Sequence, residues 1–180
     1  MTRVLRKGKK AAQMSGHLIT PFFDPIPGIP LFTRRKGEVD NFQAEKVSLV
    51  DKKGAEDLAA KYSDVDVRAG GLIPHYNCHG LTFASRRTGI SDSAALRQIL
   101  EEDGYEEVKI ENVLPGDVIL YFDPETGDFE HSGIVVSREN SEIQQTFRVV
   151  SKWGMGLECV HGSAYCPYSF QTAKYYRIVK

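Results

Sequence analysis

The C-terminal half of the chain alternates apolar and polar residues with a period of two. Four such runs, at 117–122, 131–137, 146–152 and 173–179, are rich in β-branched and aromatic side chains, a composition typical of strands. The polar sequences DPETGD and RENSE separate the first three runs and are short enough for hairpins. The pattern predicts an antiparallel sheet that begins as a meander.

The N-terminal half shows helical spacing instead. The run DKKGAEDLAAKYS (51–63) places apolar residues three and four positions apart and predicts a short amphipathic helix. Two more helices are predicted over 78–88 and 92–103, the latter with Ser91 or Asp92 as its cap, and a glycine follows each of them. Because the helices precede the strands, we expect an α+β fold.

The segment 18–32 contains four prolines, which exclude a regular helix and disfavour a central strand. We expect an extended segment that covers the core. Its buried side chains would be Phe22, Phe23, Ile26 and Ile29. The predicted organisation is therefore a basic flexible tail (1–17), an extension that wraps the core (18–70) and a main domain (71–180).

The charge is nearly balanced, with a formal net value of −1, which argues against nucleic acid as a partner. The basic residues are nevertheless concentrated at the start, because residues 1–46 contain nine Lys or Arg and only four Asp or Glu. A tail of this kind is usually solvated.

No apolar run reaches the ~18 residues of a membrane-spanning helix. The basic start is followed by the mixed sequence AAQMSGH and not by the apolar core of a signal peptide. We therefore expect no stable membrane insertion, and a location in the cytoplasm or export by a non-Sec route. The three cysteines are expected to be reduced.

Cys78 allows three interpretations. It could be a small buried apolar side chain, a zinc ligand or a nucleophile. The ligand candidates fall into two groups: His75, Cys78 and His79, and Cys159, His161 and Cys166. Their spacing includes neither CxxC nor HxxxH, which disfavours zinc, and no metal or cofactor is expected.

The nucleophile interpretation makes demands on the rest of the chain. Cys78 follows the break at Gly70–Gly71 and Pro74, so it is predicted in the first turn of a helix, where the helix dipole stabilises a thiolate. A histidine must then act as base, and His131 is the candidate because it begins a strand after a turn. A third group from the 146–152 strand would orient the imidazole.

Three blocks of sequence resemble the NlpC/P60 branch of the papain-like superfamily. They are YNCHGLTF at 76–83, VLPGDVILYFD at 113–123 and HSGIVV at 131–136, against the family patterns D-C-S-G-L-V, L-x-P-G-D-L-V-F-F and H-V-G-I-Y-V. The matching residues are Cys78, Gly80, Leu81, Leu114, Pro115, Gly116, Asp117, Val118, His131, Gly133, Ile134 and Val136. The resemblance implies a papain-like fold with N-terminal helices packed on an antiparallel sheet, and a catalytic dyad of Cys78 and His131.

A second stretch, VVSKWGMGLE at 149–158, resembles the asparagine-strand motif of papain. Alignment on Trp153 and Gly154 places Ser151 at the position of the asparagine that orients the histidine, and His161 is the alternative third member. Two departures from the NlpC/P60 pattern are Asn77 for its aspartate and His79 for its serine. Asn77 is a candidate oxyanion donor, while His79 is expected to face solvent or to support the site. Trp153 is expected in the core or in a lid.

The resemblance implies a cysteine peptidase or amidase, and the peptide stems of peptidoglycan are the commonest target of that family. Its reaction proceeds by thiolate attack on an amide and an acyl-thioester intermediate. One alternative is an acyltransferase, although in the permuted acyltransferase branch the histidine precedes the cysteine. The other is a catalytically inactive binding module.

Overall fold

The computed structural model describes residues 26–68, 71–140 and 145–179. These residues form the α+β fold expected from the sequence, with short helices and a sheet of seven antiparallel strands. The predicted tail, together with Phe22 and Phe23, lies outside the described residues.

The described helices and strands follow one another along the chain as follows. The helices are α1 (Leu49–Lys61), α2 (Cys78–Phe83) and α3 (Ser93–Asp103), with single 3-10 turns at Ile110–Asn112 and Phe170–Thr172. The strands are β1 (Ile26–Pro27), β2 (Phe42–Gln43), β3 (Asp66–Val67), β4 (Tyr105–Val108), β5 (Val118–Phe122), β6 (Phe129–Asn140), β7 (Gln145–Lys152), β8 (Glu158–Gly162) and β9 (Lys174–Ile178).

The main sheet has the strand order β3-β8-β7-β6-β5-β9-β4. All four predicted strands are present as β5, β6, β7 and β9, and the predicted meander of β5, β6 and β7 continues into β8. The chain then returns to pair β9 with the free edge of β5. Strands β3, β4 and β8 were not predicted, because YEEV and ECVHG lack the apolar alternation that marks a strand.

The helices follow their capping residues. Asp92 caps α3 by accepting a hydrogen bond from the Ala94 N–H, and Gly104 ends it in a left-handed conformation with φ 77°, as predicted. The prediction for α2 was wrong at its end. The helix stops at Phe83 instead of Thr88, because Ser85 and Arg86 adopt positive φ angles of 50° and 64° and cannot continue a right-handed helix.

The segment before α1 packs against α2 and α3. Leu31 and Val39 join a buried cluster with residues of both helices, so this part of the predicted extension covers the core. Residues 26–27 were expected to lack regular structure but pair with β2. Proline is tolerated in this strand because β1 is an edge strand.

The two faces of the main sheet carry different residues, because side chains alternate along each strand and paired residues share a face. The Trp153 face carries Ile119, Tyr121, Val135 and Val149, which form a buried cluster with Trp153. The α2 face carries Leu120 and its cross-strand partner Ser132, and the Ser132 side chain contacts α2. This division decides which candidate residues can meet.

Candidate active site

Cys78 is the first residue of α2, as predicted, and Asn77 is the cap. The Asn77 side-chain oxygen accepts hydrogen bonds from the N–H groups of Gly80 (3.0 Å) and Ile90 (3.1 Å), and its amide donates to the Ile90 carbonyl at 2.7 Å. These bonds hold the start of the helix against the chain that leads to α3. The amide is therefore engaged in capping and not directed at a substrate oxyanion.

Gly80 allows α2 to approach the backbone that follows it. A Cβ on Gly80 would lie 1.8 Å from the Thr88 carbonyl oxygen, a distance that no side chain tolerates. The match of Gly80 to the NlpC/P60 pattern thus corresponds to a packing requirement.

The Cys78 sulfur lies in a buried environment, with only 5% of the residue exposed. Burial raises the pKa of the thiol, the backbone N–H groups of Ser132, His79 and Cys78 and the charge of Lys152 lower it, and the net result is about 11. The expected lowering of the Cys78 pKa by the helix start is therefore outweighed by desolvation. The thiol form predominates at neutral pH.

His131 lies on the Trp153 face. It pairs with Tyr121 across β5 and β6, and its ring stacks on Tyr168 with centroids 3.8 Å apart and planes 6° apart. Neither ring nitrogen has a hydrogen-bond partner among the described residues. Burial, and then the charges of His161 and His79, hold the pKa of His131 well below its ordinary value.

The next residue, Ser132, points the opposite way and contacts α2. Its hydroxyl oxygen lies 2.9 Å from His79 Nδ1 and 3.0 Å from Thr82 Oγ1. Consecutive residues of a strand face opposite sides of the sheet. The structure therefore does not join His131 to Cys78 by the hydrogen bond expected of a catalytic dyad, and it brings Ser132 to the first turn of α2 instead.

The two candidates for the third catalytic member bond to each other. Ser151 Oγ lies 2.7 Å from His161 Nε2, and His161 Nδ1 lies 2.8 Å from the Gly162 carbonyl oxygen. A carbonyl only accepts, so Nδ1 carries the proton and Nε2 accepts from the Ser151 hydroxyl. The hydrogen bond predicted between Ser151 and His131 is not formed, although Ser151 and Val149 share a face as expected.

The two remaining support residues are buried. His79 does not face solvent, because its ring points from α2 towards Ser132 on β6, and burial lowers its pKa to about 4. Trp153 belongs to the buried cluster of its face, with its ring centroid 5.1 Å from that of Tyr62. Trp153 therefore occupies the core position considered for it in the sequence.

Lys152 is the site residue that sequence reasoning missed. It is only 1% exposed, its Nζ donates to the Gly156 carbonyl at 2.9 Å, and Nζ lies 5.0 Å from the centre of the Tyr76 ring. Burial lowers the pKa of Lys152 to about 8, while the charges of Glu158, Cys78 and Asp51 act to raise it. The sequence did contain a signal for this residue, since strand alternation places Lys152 on the face of the sheet opposite to that of Ser151.

Glu158, the cross-strand partner of Lys152, is occupied by other groups. The Tyr76 hydroxyl donates to it at 2.8 Å, and Arg86 donates twice, at 3.0 and 2.9 Å. Arg68 forms a further ion pair at 3.2 Å. Burial raises the pKa of Glu158, but the bonds from Arg86 and Tyr76 outweigh it, and the carboxylate is stabilised.

Within the described residues, no three His, Cys, Asp or Glu side chains are arranged to hold a metal ion. Cys78, Cys159 and Cys166 are free thiols. A groove of about 450 Å³ is lined by residues of β4, β9 and the turn before β9. None of the residues discussed above lines this groove, so side-chain chemistry and not groove size identifies the candidate site.

Comparison of the chain with family models, curated proteins and solved structures gives no match. The candidate site therefore depends on the geometry of this chain alone. Among the described helices, none has the length and apolar composition needed to cross a membrane.

Proposed function

We propose that the protein is a cysteine hydrolase that cleaves an amide bond in a peptide-type substrate, with Cys78 as the nucleophile. One observation carries the proposal. Cys78 is the first residue of α2, where backbone N–H groups have no partner within the helix, and the N–H groups of Cys78, His79 and Ser132 act to lower the pKa of its thiol. Converging N–H groups of this kind stabilise both a thiolate and an oxyanion.

The reaction follows from the chemistry of a thiol. Cys78 gives its proton to a solvent base, and the thiolate forms an S–C bond to the substrate carbonyl carbon. The N–H groups hold the negative oxygen until the C–N bond breaks and the amine leaves with a proton from water. Water then cleaves the thioester, which releases the carboxylic acid and restores the thiol.

The pH dependence of this reaction differs from that expected for a cysteine–histidine dyad. Because the pKa of Cys78 is about 11 and His131 does not bond to it, the thiolate fraction rises throughout the alkaline range. We expect the rate of hydrolysis to increase from pH 7 to pH 10 without the plateau that a thiolate–imidazolium pair produces near neutrality.

A second candidate function is a catalytically inactive binding module on the same fold. The raised pKa of Cys78 and the placement of His131 on the opposite face support it. An acyltransferase would use the same acyl-thioester and differ only in the acceptor, an alcohol or an amine in place of water.

The test compares the unmodified protein with Cys78→Ser and Cys166→Ser, since Cys166 is also a free, buried thiol. A panel of fluorogenic peptide amides is assayed from pH 7 to pH 10, with hydroxylamine as an alternative acceptor. Hydrolysis that is lost in Cys78→Ser and kept in Cys166→Ser supports the hydrolase. Acyl transfer to hydroxylamine without hydrolysis identifies an acyltransferase. The absence of turnover at every pH supports the catalytically inactive binding module.

A further inference from the structure

Lys152 is buried without a carboxylate to balance it. Among the described residues, no Asp or Glu oxygen lies within ion-pair distance of its Nζ, and Glu158 is bound by Arg86, Arg68 and Tyr76 instead. A buried lysine without a charged partner is rare, because desolvation of the ammonium is costly. The position of this residue therefore calls for a functional explanation.

The register of the sheet places Lys152 beside Ser132. Gly133 and Ser151 are paired, and Lys152 lies one position beyond Ser151 while Ser132 lies one position before Gly133. Continued by one position, the antiparallel register sets these two residues opposite each other on the α2 face, where cross-strand Cβ atoms are about 5 Å apart. Because the Ser132 side chain contacts α2, Lys152 lies on the face of the sheet that α2 covers.

Apart from Cys78, the titratable and charged groups around Lys152 are each bound by another partner. The titratable and charged groups that face it are Cys78 and Tyr76 from α2 and the residues before it, Glu158 on β8 and Asp51 on α1. Glu158 is balanced by two arginines, and Tyr76 presents its ring and not its hydroxyl, which bonds to Glu158. Asp51 accepts from its own helix cap, Ser48.

We propose that Lys152 supplies the positive charge that stabilises the Cys78 thiolate, at the point where β6, the end of β7 and the first turn of α2 meet. The ammonium acts through space, in the role that an imidazolium has in papain-like enzymes. This inference rests on the proposed function for its catalytic meaning, whereas the electrostatic coupling between the two side chains can be tested without a substrate.

The experiment measures the rate of Cys78 alkylation by iodoacetamide from pH 7 to pH 10, by peptide mapping, in the unmodified protein, Lys152→Met and Lys152→Arg. Methionine keeps the length of the side chain and removes the charge. A rise of one unit in the pKa of Cys78 lowers the thiolate fraction about tenfold, and with it the alkylation rate at pH 7, where Lys152 is mostly charged. We expect this decrease in Lys152→Met, recovery of most of the rate in Lys152→Arg, and no change at Cys166, which reports on general opening of the fold.

A second measurement does not depend on these variants folding. In protein labelled with ¹³C-lysine, the titration of the Lys152 side chain is followed by NMR in Cys78→Asp, which carries a negative charge at the position of the thiol, and in Cys78→Ala, which carries none. Coupling is reciprocal, so the pKa of Lys152 should be higher in Cys78→Asp than in Cys78→Ala. Equal alkylation rates in Lys152→Met and the unmodified protein, or the same Lys152 pKa in Cys78→Asp and Cys78→Ala, would overturn the inference.

The outcomes separate this inference from the proposed function. Amide hydrolysis that requires Cys78 but is unchanged in Lys152→Met contradicts the inference and leaves the hydrolase standing. A decrease in alkylation in Lys152→Met, without hydrolysis by the unmodified protein, supports the coupling and contradicts the hydrolase.

Discussion

The ammonium of Lys152 lies at the join of the sheet and α2, and burial there has a cost. Its pKa is lowered to about 8 in the folded protein and is ~10 in the unfolded chain. Between these values the side chain is mostly uncharged when the protein is folded and mostly charged when it is unfolded. The charge therefore destabilises the folded protein at neutral pH, and this part of the cost falls as the pH rises from 8 towards 10.

Lys152→Met should consequently stabilise the protein at pH 7. We expect the free energy of unfolding to rise by about 2 kcal/mol, since relief of the desolvation penalty exceeds the loss of the bond to Gly156. Urea unfolding measures the change. Lys174→Met is the control, because Lys174 is half exposed and paired with Glu107, and we expect a change within about 0.5 kcal/mol. If the role of Lys152 were purely structural, Lys152→Met would instead lower the free energy of unfolding.

Ser151 and His161 form a buried pair whose role is structural. Ser151→Ala leaves His161 Nε2 without its donor in a buried site, and this should cost about 1–3 kcal/mol of stability. The rate of Cys78 alkylation should not change, because Ser151 faces away from α2. Ser137→Ala, at an exposed position of β6, is the control. Slower alkylation in Ser151→Ala at unchanged stability would show that Ser151 acts on the nucleophile.

At the scale of elements, the six residues of α2 depend on their cap. Asn77 joins Gly80 and Ile90 through three hydrogen bonds, and an isolated helix of this length would not form in water. The cap thus fixes both the helix and the position of the sulfur.

Asn77→Ala should lower the free energy of unfolding by about 2 kcal/mol or more, because it removes a cap and leaves Ile90 polar groups unpaired. Asn77→Asp keeps the acceptor but loses the donor to the Ile90 carbonyl, so we expect an intermediate loss. Thermal unfolding and the alkylation rate of Cys78 are measured together. If both variants match the unmodified protein in stability, the capping role assigned to Asn77 is wrong.

At the scale of the whole molecule, three buried imidazoles determine the response to acid. Burial lowers the pKa of His79 and of His161 to about 4 and holds that of His131 well below its ordinary value. In the unfolded chain, each takes up a proton near pH 6.5. Between these values the unfolded state binds more protons, so their contribution to stability is complete above pH 6.5 and is lost as the pH falls towards 4.

We therefore expect the free energy of unfolding to decrease between pH 6.5 and pH 4 by as much as about 1.4 kcal/mol per pH unit for each imidazole. Urea unfolding at pH 7.5, 6.0 and 5.0 measures this slope. Carboxylates such as Glu158, with a lowered pKa, lose their contribution mainly below pH 5, so they do not account for a change between pH 7.5 and pH 5.0. Equal stability at pH 7.5 and pH 5.0 would contradict the burial of these rings as neutral groups.

Local patterns in the sequence determined much of the fold. Asp92 and Gly104 mark the ends of α3 because capping depends on neighbouring residues, and strands β5, β6, β7 and β9 follow from alternation. The start of α2 at Cys78 was likewise predictable. Strands β4 and β8 were not, since their sequences carry polar residues that only a partner strand makes compatible with a sheet.

The candidate site depended on information that no local pattern contains. Alternation shows that His131 and Ser132 face opposite sides, and likewise Ser151 and Lys152, but it does not show which side α2 covers. That choice is made by long-range packing of buried side chains against both faces of the sheet. The tertiary structure alone placed Ser132 and Lys152 with Cys78, and left His131 on the other face.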